Sequence, residues 1–228
     1  MAGDGNTFRS VGLIEVLEGH ADVWRIDLDP VSSALSRCWA DLSGDERERA
    51  TQFARPEIRC RFVAARSGLR RILSRYTSRS PRSIEIIVSG HGKPALPAGP
   101  QFNLSHSGDL ALCVVTKASA VGVDLERIRP IAEADELARR WLGPEVHPAP
   151  CVELDAPPGR AFLRRWTMRE AYLKALGIGV GGLPAGGAID RRRWSVHELR
   201  PAEGYVAAVV VERERFVPRG STSEVLPR

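Results

Sequence analysis

At 228 residues, with 43% apolar and 27% charged side chains, the chain can enclose the core of one large domain or two small ones, which excludes disorder as its main state. The net charge of +5 rests on 30 arginines and only three lysines, Lys93, Lys117 and Lys174, a composition that suits phosphate or an acidic partner and that a coding bias toward arginine explains equally well. Aromatic residues make up 6% and do not interleave with the basic ones, and Cys38, Cys60, Cys113 and Cys151 form no C-x-x-C pair, so neither a nucleic-acid stacking platform, a zinc module nor a disulfide scaffold is expected.

Met1–Ser10 is polar, with no apolar stretch after a basic start, and no run approaches the ~18 residues of a membrane span. The expectation is a soluble, cytoplasmic protein that binds neither membrane nor nucleic acid.

Ala21–Leu28 alternates apolar and polar residues and reads as a strand. Ser43 followed by Asp45, Glu46 and Glu48 is a helix start, predicting a helix over Asp45–Phe53. From Ile58 to Tyr76 apolar residues recur at three-and-four spacing with arginines off the buried stripe, predicting a long amphipathic helix. Ile84–Val88, Phe102–Leu104, Leu110–Thr116 and Val121–Leu125 are short β-rich runs between turn residues.

Helices return over Ala132–Trp141 and Arg160–Leu176, and Trp194–Leu199 with Tyr205–Val211 reads as a hairpin. Gly177–Gly187 is a loop by its glycine content, and Pro218–Arg228 a loose tail. This order predicts an α+β protein of two similar halves, residues 1–117 and 118–228, meeting near Lys117–Ala120.

Three groups of residues carry chemistry. In Val121–Glu126, period-two geometry puts Asp124 and Glu126 on one face, with Val123 and Leu125 toward the core. Two hard carboxylates can share a Mg²⁺ that also binds phosphate, although acidic alternation on a strand is more often an ordinary solvated face. In Trp166–Lys174, Trp166, Glu170 and Lys174 share one helical stripe. Glu followed four residues later by Lys is a common surface pair, but a tryptophan on the same stripe points to a cleft. In His91–Pro94 and Phe102–Ser107, a glycine-flanked lysine followed by Ser105 and His106 offers donors to phosphate, or simply a turn between strands.

Taken in this order, Gly92-Lys93-Pro94, Phe102–Ser107, Gly122–Glu126 and Trp166–Lys174 resemble the Sfp-type 4′-phosphopantetheinyl transferases, whose pattern runs G-K/R-P, F-N-x-S-H-S, G-x-D-x-E and W-x-x-K-E-A-x-x-K. Arg61–Arg66 and Ala138–Glu145 resemble more variable helices of that family. Arg169 stands where the family has lysine, which keeps the charge and changes its geometry.

The resemblance implies an α+β fold with two halves related by pseudo-twofold symmetry, the first contacting the coenzyme A phosphates and the second carrying the metal-binding carboxylates and the catalytic helix. It implies Mg²⁺-dependent transfer, with Mn²⁺ as an alternative ion, of the 4′-phosphopantetheine arm of coenzyme A to a serine of an acyl or peptidyl carrier protein. Adenosine 3′,5′-bisphosphate would leave, and the carriers would serve fatty acid, polyketide or nonribosomal peptide synthesis. It further implies Asp124, Glu126 and Glu170 as metal ligands, with Glu170 as base and Lys174 on the pyrophosphate assisted by Arg169. Lys93, Ser105, His106 and one of Arg61 and Arg66 would hold the coenzyme A phosphates, and a two-half chain would act as a monomer.

Two other classes compete on the residues alone. A basic nucleotide-binding module leaves the three carboxylates without a purpose, because they repel phosphate unless a metal intervenes. A metal-dependent phosphohydrolase accounts for the carboxylates and would release phosphopantetheine from coenzyme A without any carrier.

Overall fold

The computed structural model describes residues 8–16, 19–29, 32–88, 92–142, 159–178 and 188–213. His91, Gly143–Glu145, Cys151, all but the start of the Gly177–Gly187 loop and the Pro218–Arg228 tail lie outside the described residues. In chain order the first elements are β1 (Phe8–Val16), β2 (Gly19–Asp27), α1 (Ser32–Asp41), α2 (Gly44–Thr51), α3 (Pro56–Thr77), β3 (Ile87–Val88), β4 (Pro94–Ala95), β5 (Gln101–Ser107) and β6 (Leu110–Thr116). Then follow β7 (Val121–Arg127), α4 (Ala134–Trp141), α5 (Arg160–Leu176), β8 (Trp194–Leu199) and β9 (Tyr205–Glu212).

Strand β6 is apolar from Leu110 to Val115, and both its faces are buried. Ala111, Cys113 and Val115 pack under α3 with Leu69, Ile72 and Leu73, whereas Leu110, Leu112 and Val114 meet Val121, Val123, Leu125 and alternate residues of β9. Two antiparallel sheets therefore lie face to face, one in the order β1-β2-β6-β5 and the other β7-β9-β8. Helix α3 covers the outer face of the first, and α5 covers that of the second through Met168, Ala171 and Ala175 against Ala208 and Val210. The result is a mixed α+β fold of four layers, and the chain crosses from one sheet to the other over residues 117–120. Among the described residues no helix is long and apolar enough to cross a membrane.

The helix starts follow local chemistry. Ser43 caps α2 in a reciprocal box with Glu46, and Pro56 opens α3 at a position where its missing N–H is harmless. One arginine departs from the expected solvent face of α3. Arg70 is 2% exposed, with Nε on Glu46 at 2.5 Å and Nη1 on the carbonyls of Pro81 and Ile84 at 2.8 and 2.9 Å.

Three elements had no expectation, β1, α1 and the two-residue β4, and Ile84–Val88 narrows to the two-residue strand β3 after a 3-10 turn over Pro81–Ser83. Pairing to β2 makes β1 a strand: the ladder supplies hydrogen bonds that no local pattern announces.

Candidate active site

The first-half residues Phe102–Ser107 and the second-half residues Gly122–Glu126 lie on β5 and β7, which meet where the two sheets face each other. On β5, Phe102 and Leu104 pack toward α3, so Asn103, Ser105 and Ser107 project from the opposite face. All three reach β7. Asn103 Oδ1 accepts from the Val123 N–H at 2.9 Å, Ser105 Oγ donates to Asp124 Oδ1 at 2.9 Å, and Ser107 Oγ donates to Glu126 Oε2 at 2.9 Å. The same Ser107 hydroxyl accepts from the Arg127 N–H at 3.1 Å.

Helix α5 lies against the far side of β7. A Cβ at Gly122 would stand 2.1 Å from Ala171 O and 2.5 Å from Ala175 N, so only glycine lets strand and helix approach this closely. That approach sets the charged stripe of α5 beside the carboxylates. Trp166, Glu170 and Lys174 are each half-buried, between the buried Thr167, Met168, Ala171 and Ala175 and solvent, so the stripe lies at the margin of the core. Trp166 stacks on Phe162 with ring centroids 5.8 Å apart.

Lys174 Nζ donates to Asp124 Oδ1 at 2.5 Å and to Ser105 Oγ at 3.1 Å. Asp124 is only 5% exposed, and its burial raises the carboxyl's pKa above the ordinary value despite the opposing charge of Lys174. Glu170 is raised as well, by burial first and then by the charge of Asp124, with Lys174 and Arg169 pulling it down. Glu126 adds repulsion to both carboxylates and is itself held by Arg129 Nη1 at 2.9 Å.

Two buried carboxylate oxygens in this cluster, Asp124 Oδ2 and Glu170 Oε1, have no hydrogen-bond partner among the described residues. Two acidic groups that repel each other, each with an unsatisfied hard oxygen, suit a divalent cation that completes its shell with water and phosphate. Among the described residues no group of three or more His, Cys, Asp or Glu side chains is placed to hold a metal ion.

The remaining expected site residues fall in different places. Lys93 follows Gly92, whose φ of 83° is left-handed. Its ammonium is directed at main-chain carbonyls, Val121 O at 2.9 Å and Lys174 O at 2.8 Å, and burial pushes its pKa down to about 8. His106 is exposed on the face of β5 opposite to Ser105, so the two do not converge on one group. Arg66 is engaged by the buried Glu46 at 2.5 Å. Arg61 lies 3.6 Å from Asp29, with a side chain 40% exposed, and its charge acts on Asp109 in the β5–β6 turn. Arg169 is 5% exposed, within α5.

The β7-facing roles of Asn103 and Ser107 had no expectation. Their signal is alternation: polar residues at every second position of a strand whose other face is apolar mark a wetted or partnered face, and Asn103, Ser105 and Ser107 show it. A cavity of 380 Å³ between the end of α3 and Leu96–Gly99 shares no residue with the carboxylate cluster.

Residues 120–215, the segment that carries β7, α5, β8 and β9, match the model of the 4′-phosphopantetheinyl transferase superfamily. The chain is 38% identical to the 4′-phosphopantetheinyl transferase HetI of a Nostoc species over 90% of this chain and 93% of that protein. It is 32% identical to a phosphopantetheinyl transferase of a Thraustochytrium species, over 67% of this chain and 58% of the other. With a 4′-phosphopantetheinyl transferase of Bacillus subtilis the identity is 27%, over 63% and 64%.

Proposed function

Because the chain belongs to the 4′-phosphopantetheinyl transferase superfamily and is itself such a transferase, we propose that it moves the 4′-phosphopantetheine arm of coenzyme A onto a serine of an acyl or peptidyl carrier protein. The serine oxygen attacks the pyrophosphate phosphorus that bears the arm. A new P–O bond forms, the bond to the bridging oxygen breaks, and adenosine 3′,5′-bisphosphate leaves with that oxygen. The observation that carries this reading is the meeting of Asp124, Glu170 and Lys174 beside buried, unsatisfied carboxylate oxygens.

Asp124 and Glu170, with Glu126 at their edge, would hold a Mg²⁺ or Mn²⁺ ion that neutralises pyrophosphate charge when bound. Glu170, its pKa raised by burial and by the charge of Asp124, takes the serine proton. Lys174 turns its ammonium from Asp124 to the pyrophosphate and stabilises the leaving oxygen. Ser105 holds Asp124 in place during that exchange. Arg169, buried one residue before Glu170, contributes positive potential to the same site.

Arg61 and His106 are the donors left for the 3′-phosphate, since Arg66 is committed to Glu46. The pseudo-twofold relation of the halves fits a long helix laid on an antiparallel sheet in each. One chain then supplies both walls of the cofactor cleft and acts as a monomer. The basic surplus of +5 suits an acidic carrier.

Incubation of the protein with coenzyme A, Mg²⁺ and a panel of apo carrier proteins tests the reading. At least one carrier gains the mass of a phosphopantetheine arm, and the gain disappears when its acceptor serine is replaced by alanine. Release of free phosphopantetheine with no carrier modified would replace the transferase reading with a phosphohydrolase.

A further inference from the structure

Among the described residues, strand β7 is the outer strand of its sheet, with a ladder to β9 on one edge and none on the other. Main-chain groups of alternate residues therefore face an edge without a strand partner. Side chains from the first half meet three of them: Lys93 Nζ at Val121 O, Asn103 Oδ1 at Val123 N–H and Ser107 Oγ at Arg127 N–H. Lys93 does more than cap an edge. Its second bond, 2.8 Å to Lys174 O, reaches the last turn of α5, where that carbonyl also accepts from the Gly177 N–H at 3.2 Å and the negative end of the helix dipole favours a cation.

One ammonium thus ties the strand that carries Asp124 to the residue whose side chain contacts Asp124. We propose that Lys93 is a positioning residue: by bridging Val121 O and Lys174 O it fixes α5 against β7 and so sets the approach of the Lys174 side chain to Asp124 and the pyrophosphate. The kinetic half of this inference rests on the transferase reading; the clamp itself does not.

The test uses the full chain and the variants Lys93→Met and Lys93→Arg, with coenzyme A, 3′-dephospho-coenzyme A and an apo carrier. Lys93→Met lowers kcat about tenfold or more, because a small displacement of reacting groups is sufficient to do so, and leaves the KM for coenzyme A within about twofold. The loss is the same for both cofactors, and Lys93→Arg, which still donates to carbonyls, recovers part of the rate. Amide hydrogen exchange over residues 173–178 rises about fivefold in Lys93→Met as the last turn of α5 loosens.

A raised KM confined to coenzyme A, with kcat kept, would make Lys93 a phosphate ligand and overturn the proposal. Unchanged exchange over residues 173–178 overturns it equally, whether or not any carrier is modified. Failure of the wild-type protein to modify any carrier overturns the transferase reading alone, and the exchange data then decide the clamp. If Lys93→Met does not fold, Lys93→Gln, whose amide serves one carbonyl well, is read by the same two measurements.

Discussion

Asp124 and Lys174 stand fifty residues apart in the chain and 2.5 Å apart in space, joined across the seam between β7 and α5. The pair shares Ser105 as a common hydrogen-bond partner. Burial of the aspartate works against its charge and the lysine works for it, so removing either partner leaves the other in a poor environment.

Lys174→Met is therefore expected to destabilise the protein by about 3 kcal/mol, since it leaves a 5% exposed carboxylate without its cation. Adding Asp124→Asn to that variant should restore at least half of the loss. Urea unfolding of the two single variants and the double variant measures the coupling, and strictly additive effects would show that the contact contributes nothing.

Glu170→Gln should abolish most transfer while making the metal-free fold more stable near neutral pH. The sign follows from the raised pKa of Glu170: the folded state binds the proton more tightly than the unfolded chain. Stability therefore falls as pH rises from the ordinary carboxylate value of about 4.3 through the raised folded value, and stays lowered above it. Thermal melting in EDTA should favour the glutamine variant at about pH 7.5 and show no advantage at about pH 4. A variant that melts below the wild type at both pH values contradicts the raised pKa.

Gly122→Ala should be among the most damaging single changes, at about 3 kcal/mol or more, because the new methyl group meets main chain at 2.1 Å and main chain cannot rotate away. Circular dichroism melting provides the check. Wild-type melting would mean that α5 can move off β7 at little cost.

Arg66→Ala and Arg61→Ala should separate cleanly. The first strips one guanidinium from the buried Glu46, whose pKa Arg66 and Arg70 hold low, so stability near neutral pH drops and the deficit against the wild type narrows as pH falls through the carboxylate range. The second should raise the KM for coenzyme A about tenfold and leave that for 3′-dephospho-coenzyme A nearly unchanged. Equal KM effects of Arg61→Ala on the two cofactors would remove Arg61 from the 3′-phosphate.

The periodic parts of this protein were legible without a structure. The alternation of Val121–Glu126 separates carboxylates from core, the spacing of Ile58–Tyr76 gives α3 its apolar stripe, and the four motifs in order identify the family, because each depends on residues close in sequence. Only the tertiary structure decided which polar groups meet. Lys93 and Ser105 carry the same donors whether they face a phosphate or β7, and nothing local distinguishes the two. Their choice is made by β7 being an outer strand with unpaired main-chain groups, by Gly122 letting α5 close on it, and by Glu46 claiming Arg66 but not Arg61. These are long-range consequences of packing sheet on sheet, helix on sheet and helix on helix, where a buried polar group must take whatever partner the neighbouring element presents.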